Sequence, residues 1–239
     1  LVEISLPDGI TQIPENCFAR CFSLKKIDIP SSVGVIFDFA FSECSSLESF
    51  TVPPNVSKIS NYMLRHCISL KTVNIHSNVK IIGNYAFDGC ISLIEVEIPY
   101  SVQKVYEYAF QHCRDLRKLT LPMRPCTLFD CAFSHCSNLK EVNGVDESGN
   151  ISKNTIDVDS IGNYCFGRCE SLTKLTLNSN YIGKFAFCEC KNLIYVEITS
   201  SIIDSHAFEC CHSFETCRIE GNPDIRYYAF HDCPKLNIT

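Results

Sequence analysis

The sequence has no run of basic residues and no acidic tail; its net charge of -6 comes from interspersed Asp, Glu, Lys and Arg. Recognition of nucleic acid needs a clustered positive footprint that displaces counterions from phosphates, so this balance argues against nucleic acid as the main partner. No apolar segment approaches the roughly 18–20 uncharged residues of a membrane span, which speaks against direct membrane insertion of this stretch. A Gly-rich phosphate loop, a nucleophile elbow and a paired-carboxylate motif are all missing, so the sequence reads as non-enzymatic and without a cofactor. A secretory signal is missing too. The chain nevertheless starts at Leu1 inside a repeat and lacks an initiator Met, which reads as an excised or processed piece, and the missing signal then carries little meaning.

What the sequence has in abundance is cysteine, 17 residues, within a composition that is 46% apolar. Ten of these cysteines form a ladder: Cys21, Cys44, Cys67, Cys90, Cys113, Cys136, Cys169, Cys190, Cys211 and Cys233. The interval is 23 residues as far as Cys136, grows to 33 before Cys169, and then falls to 21, 21 and 22. In the turn of Cys90 the unit reads Asn84-Tyr85-Ala86-Phe87-Asp88-Gly89-Cys90, followed by Leu93, Val96, Ile98 and Pro99. Tyr108-Ala109-Phe110, Cys113, Leu116, Leu119, Leu121 and Pro122 repeat it one period later. Self-similarity of this kind signals a stacked array in which no unit buries its own apolar face and stability comes from neighbours. Residues 1–239 are therefore expected to form a single solenoid. A cysteine locked three residues before the strand leucine (Phe214 in one turn) reads as a small buried hydrophobe filling one slot per turn. Equivalent side chains on stacked turns point the same way, poor geometry for a bridge, so these thiols are expected to stay reduced.

The Leu-x-x-Ile-x-Ile pattern predicts a short strand with alternate residues inward: Leu93, Val96 and Ile98 in, Ile94, Glu95 and Glu97 out. Pro99 ends it, since proline cannot donate to a continuing ladder. Val79 and Ile82 form a second inward pair. Small Ala86 beside large Phe87 predicts a short turn of helix or 3₁₀ with the ring in the core. Phe87 and its equivalents Phe41, Phe110, Phe133 and Phe187 are expected to stack along the spine. In the shortened turns Asn178 and Thr199 stand where the proline was. The extra residues between Cys136 and Cys169 lie at about 144–159, where Gly, Ser, Asn and Asp predict a surface loop extruded from a continuous solenoid, with Gly144 interrupting a strand.

The recurring Ala-Phe-x-x-Cys-x-x-Leu-x-x-Ile-x-Ile-Pro, as at Ala40-Phe41, Cys44, Leu47, Phe50, Val52 and Pro53, resembles the BspA-like, or treponemal, class of leucine-rich repeats over nearly all of the chain. Local departures are Met63-Leu64 in place of Ala-Phe, and Cys17 and Cys165 in place of Ala. The resemblance implies a β-rich α/β fold: a right-handed solenoid or horseshoe of about ten 21–23-residue repeats with parallel strands on its concave face. It also implies a macromolecule-binding module of the adhesion type at the cell surface or outside the cell, with a cytoplasmic interaction scaffold as the alternative.

The outward strand positions supply the candidate protein-binding face: Lys26, Asp28, Thr51, Thr72, Asn74, Glu95, Glu97, Lys118, Thr120, Glu141, Lys174, Thr176, Tyr195, Glu197 and Arg218. With strands about 4.8 Å apart the ladder reaches about 50 Å, which suits a protein or extended macromolecular ligand better than a small metabolite. Other constellations carry less. His66, His112 and His135 each precede a ladder cysteine, the ingredients of a Cys–His nucleophile pair. Consecutive side chains diverge, however, and Arg20, Glu43, Gly89 and Glu189 fill the slot elsewhere, as at a solvated surface position. Cys126, Cys131, His135 and Cys136 have zinc-ligand chemistry without the spacing of a knuckle. Asp146 to Asp157 offer oxygen ligands, but Ile151 stands where a calcium loop needs glycine. No metal is expected.

Overall fold

The computed structural model describes residues 2–238, so the strand contact expected of Leu1 lies outside the described residues. Each turn contributes short parallel strands to two rows, and the hydrogen-bonded pairing along these rows is interrupted between Lys26–Asp28 and Ser49–Thr51, between Thr72–Asn74 and Glu95–Glu97, and between Val35–Ile36 and Lys58–Ile59. In the first row Glu95–Glu97 pairs with Lys118–Pro122 and that with Glu141–Val145, residue on residue: Glu95 opposite Lys118, Lys118 opposite Glu141. In the second, Ile81–Ile82, Lys104–Val105 and Thr127–Leu128 pair in the same way. Val96, Ile98, Leu119 and Val105 point into the core and are essentially without solvent exposure, as the period-two pattern requires.

Strand length varies along the array and proline alone does not set it: Thr72–Asn74 stops at three residues before Ile75-His76, and Lys118–Pro122 runs through its proline. Lys26–Asp28 and Glu95–Glu97 stop at three residues just before Ile29-Pro30 and Ile98-Pro99. Asn178 and Thr199 retain their backbone donors, and there the two strands of a turn fuse into Lys174–Ile182 and Tyr195–Ile203, nine residues each. These pair from Lys174–Tyr195 through to Ile182–Ile203. Fusion removes the bend between strands, which accounts for the shorter period.

The helical turn expected at Tyr-Ala-Phe does not form, and there is no helix among the described residues; the fold is all-β. Backbone donors alternate in direction along this segment. Asp88 N–H and Cys90 N–H close tight turns onto the carbonyls of Tyr85 and Phe87 (3.2 and 3.1 Å). Tyr85, Phe87 and Gly89 instead donate to Glu107, Ala109 and Gln111 of the next turn (3.0, 2.7 and 2.8 Å). A helix would keep all of these bonds to itself. Tyr85 and Gly89 accommodate the alternation with positive φ, 55° and 72°.

Along the core, ring stacking is unbroken from Phe87 through Phe110, Phe133, Phe166, Phe187 and Phe208 to Phe230, with centroids 4.7–5.4 Å apart. Phe41 stacks on Phe18 at 5.2 Å but is separated from Phe87 by Leu64, so the expected stack has one gap. Ladder cysteines from Cys44 to Cys211 are buried, while Cys21 and Cys233, in the terminal turns, are half-buried. Their thiols do more than fill space. Cys67, Cys90, Cys113 and Cys136 donate to the carbonyls of Phe41, Leu64, Phe87 and Phe110 at 3.2–3.3 Å, each one turn back. A residue that is both small and apolar yet carries a donor fits this slot, where valine or alanine would leave the carbonyl one partner short.

A side-chain ladder runs parallel to the cysteines. Asp38 Oδ1 accepts the Asn61 N–H, Asn61 Oδ1 the Asn84 N–H, and Asn84 Oδ1 the Glu107 N–H, at 3.0–3.1 Å. Asn84→Ala should lower stability by about 1–3 kcal/mol in urea melts, because it strands a half-buried amide. Asn84→Asp keeps the acceptor and should cost less; equal losses in the two variants would show that the bond to Glu107 contributes nothing.

The insert is more than a loop. Its tip, Asp146 to Asn150, is a turn in which Asp146 Oδ1 accepts the N–H groups of Ser148 and Asn150. On either side lies structure: Ile151–Ser152 returns antiparallel against Gly144–Val145, so Gly144 sits within a strand and does not interrupt it. A Cβ at Gly144 would stand 3.0 Å from Met123 Cγ, so a larger residue would require that side chain to give by a few tenths of an ångström. Thr155–Asp157 then pairs in parallel with Lys174–Ile182, and Ile156 and Val158 are fully buried. These two apolar residues, an inward pair set among polar neighbours, pull the segment into the core. Across the insert Thr127–Leu128 pairs directly with Ser160–Ile161.

Candidate functional site

Strand alternation turns Thr72, Asn74, Glu95, Glu97, Lys118 and Thr120 of three successive turns outward on the same side, where they line a groove of about 490 Å³ with Ile75 and Pro99. Glu95–Glu97 is held in register against Lys118–Pro122 and Thr72–Asn74 against Ser49–Thr51, whereas Thr72–Asn74 and Glu95–Glu97 are not paired with each other, so the groove lies over a break between two sheets. Glu95, Glu97 and Lys118 form no ion pair among the described residues, although Glu95 and Lys118 are direct cross-strand neighbours. Elsewhere on this face charges are already engaged: Lys26 Nζ lies 3.3 Å from Asp28 Oδ1, and Lys174 Nζ caps the Tyr195 ring at 4.9 Å.

Of the sequence-predicted face, Lys26, Asp28, Thr51, Thr72, Asn74, Glu95, Glu97, Lys118, Glu141, Lys174 and Arg218 are exposed. Thr176, Tyr195 and Glu197 are half-buried, and Thr120 is buried at 6% exposure. Next to Thr120 in the ladder, Asn143 is buried as well and accepts the Asn154 N–H of the insert at 3.1 Å. The insert therefore folds down on the ladder here and covers the face at Thr120 and Asn143.

The other constellations are taken apart by the fold. Ladder thiols point into the core while the preceding residues, held at positive φ, point out, so no Cys–His pair is made. Burial pushes the Cys136 thiol up to about 12 and the Cys67, Cys113 and Cys169 thiols well above their ordinary value, the reverse of what a nucleophilic thiolate needs. His66 and His112 face Asp88, which is 4% exposed and also receives the Arg65 guanidinium at 3.1 Å. This is a surface clamp across three turns. Cys126, Cys131, His135 and Cys136 are not gathered around a common point, nor are the insert carboxylates. Two groups that the sequence reading did not single out are gathered: His206 with Glu209 and His231, and Cys210 with His212 and Asp232. Their only sequence signal is a spacing equal to the local 22-residue period, between Glu209 and His231 and between Cys210 and Asp232.

The family described as BspA type leucine rich repeat region matches the chain in six copies, over residues 1–83, 57–157 and 146–239. Among solved structures, the chain resembles the leucine rich repeat protein of T. pallidum at 28% identity and a TM-score of 0.63, over 72% of this chain and 78% of that one. It is similar in fold to a leucine rich cell surface protein of Faecalibacterium prausnitzii, at 21% identity and a TM-score of 0.53, over 100% of this chain and 72% of the other. A leucine-rich repeat protein of Bacteroides ovatus is similar at 23% identity and a TM-score of 0.55, over 98% and 73%. No curated protein matches the chain.

Proposed function

The chain belongs to the BspA-type leucine-rich repeat family, and we propose that it is a non-catalytic binding module, displayed at the cell surface, that takes an extended protein segment along its strand face. The observation that carries this reading is the groove of Thr72, Asn74, Glu95, Glu97 and Lys118, whose charged groups are exposed and unpaired where two strand pairs of the solenoid meet. Charges left free in this way are available to a ligand, and they steer association and select partners more than they add raw affinity. The acidic pair favours a segment carrying Lys or Arg opposite Glu95 and Glu97, with an acidic residue near Lys118. Surface display is supported by the description of the Faecalibacterium prausnitzii protein as a cell surface protein.

The test is binding to an array of immobilised surface and matrix proteins, with the double variant Glu95→Lys/Glu97→Lys beside the parent. Reversing both charges should weaken the interaction by tenfold or more and invert its salt dependence, without shifting the melting temperature, because neither side chain packs in the core. Unchanged binding by the double variant would move the site elsewhere. A cytoplasmic scaffold using the same groove is the second reading, favoured by the absence of any disulfide among 17 cysteines, one of them the exposed Cys17. Titration of free thiols in protein taken from its native source separates the two: a full set favours the cytosol, extensive bridging the surface.

A further inference from the structure

We infer that the last two turns carry a transition-metal site of the zinc type, with His206, Glu209 and His231 as its protein ligands. His206 Nδ1 and His231 Nδ1 each stand 3.1 Å from Glu209 Oε1, and the three ligand atoms all lie within 4.8 Å of one another. Metal–ligand bonds of about 2.0–2.1 Å at tetrahedral angles set neighbouring ligand atoms about 3.3 Å apart, so these two contacts are within a few tenths of an ångström of a coordination edge. Two imidazole nitrogens with one carboxylate oxygen suit zinc and its neighbours rather than calcium or magnesium, which demand more oxygen ligands.

The fold presets this arrangement. A tight turn, Glu209 N–H to His206 carbonyl at 3.1 Å, puts residues 206 and 209 on one side of their turn of the solenoid. Hydrogen bonds from Phe208 N–H to Ala229 carbonyl (2.8 Å) and from Cys210 N–H to His231 carbonyl (3.0 Å) hold Glu209 and His231 abreast. The His206 ring is clamped against Phe185, with centroids 4.7 Å apart, in the slot that other turns fill with stacked Phe or Tyr. A hydrogen-bonded cluster without metal explains only half of the geometry. His231 Nδ1 can share a proton with Glu209, but His206 Nδ1 is shielded from solvent and makes no hydrogen bond despite its 3.1 Å approach. A shielded imidazole nitrogen without a partner is costly, and a metal ion accepting its lone pair removes the cost. Three protein ligands leave a fourth position, and the half-exposed His231 marks the solvent side on which water or a partner's side chain would complete the shell. The adjacent Cys210, His212 and Asp232 group, with Sγ 3.6 Å and Nε2 3.1 Å from Asp232 Oδ2, is the competing location.

Calorimetric titration of the chelator-treated, reduced chain with Zn²⁺, with Co²⁺ as the spectroscopic probe, decides the matter. The parent should bind one equivalent, and His231→Ala or Glu209→Gln should weaken it by about 100-fold or more, since loss of mere outer-shell partners already costs 10–100-fold. His206→Phe restores the stacking residue of the preceding turn while removing the lone pair, so it should fold normally and lose binding equally. Cys210→Ser should leave the affinity unchanged, and the cobalt form should show a tetrahedral spectrum without a thiolate-to-metal band. No stoichiometric binding, binding that survives His206→Phe and His231→Ala, or binding abolished by Cys210→Ser would each overturn the assignment.

Discussion

Taken from pH 8 to pH 10 in reductant, the protein should unfold, and the fall in stability should be steep. Twelve cysteines are buried: Cys44, Cys67, Cys90, Cys113, Cys126, Cys136, Cys165, Cys169, Cys188, Cys190, Cys211 and Cys217. Burial pushes Cys44, Cys126, Cys136, Cys188 and Cys217 from 9.0 to about 12, and Cys67, Cys113, Cys165 and Cys169 well above 9.0. A raised folded-state value means that the native chain holds its proton more tightly than the unfolded one. Below pH 9 both states are protonated and the stabilisation is fully present. Above pH 9 the unfolded chain sheds protons that the native chain keeps, so each such thiol lowers stability by about 1.4 kcal/mol per pH unit until its folded value is reached. Since a whole domain is stable by only about 5–15 kcal/mol, the thiols acting together exceed that margin near pH 10. Circular dichroism against pH, at fixed low denaturant, checks this. Stability that is flat from pH 8 to pH 10.5 would show that the thiols are not sealed in the core.

Phe110→Ala should cost about 3–5 kcal/mol, the usual range for truncating a fully buried ring. Phe110 has no solvent exposure and is stacked on both sides, against Phe87 at 4.7 Å and Phe133 at 5.3 Å, so the cavity opens in mid-spine with no side chain placed to fill it. Phe110→Leu should cost much less, because Leu64 shows that the same slot accepts leucine without breaking the ladder: Leu64 still donates its N–H to the Ala86 carbonyl at 2.9 Å. Denaturant melts of the two variants separate these expectations; a loss below 1 kcal/mol for alanine would place Phe110 outside the core. We propose further that 1–239 melts as one unit in parent and variants. The ring stack crosses the insert from Phe133 to Phe166 at 5.3 Å, leaving no boundary at the insert where half of the array could open alone. Two separated transitions would contradict this.

The sequence by itself determined the array: its period and most of its inward and outward positions, with Thr120 and Asn143, outward by pattern, buried. These are legible because each depends on spacing within one turn, repeated until chance is excluded. Strand length was legible only in part: Pro99 follows a three-residue strand and Asn178 and Thr199 lie in the fused ones, but Pro122, expected to end its strand, lies within it. What the sequence could not decide are the bonds between turns. Ala86-Phe87 suits a helical turn as well as the observed ribbon, and only a neighbouring turn stacked in register diverts the Phe87 N–H to the Ala109 carbonyl. For the same reason the cysteines read as mere hydrophobes, since their acceptors are carbonyls 24–36 residues away. The insert, read as polar, was drawn inward by Ile156 and Val158 once a strand edge at Lys174–Ile182 was there to receive them. His206, Glu209 and His231 became a cluster only when a tight turn and a register of 22 residues were superposed. Local pattern fixes what each turn buries, whereas the partner of a polar group is fixed by whichever turn lies beside it, and that neighbour exists only in the assembled solenoid.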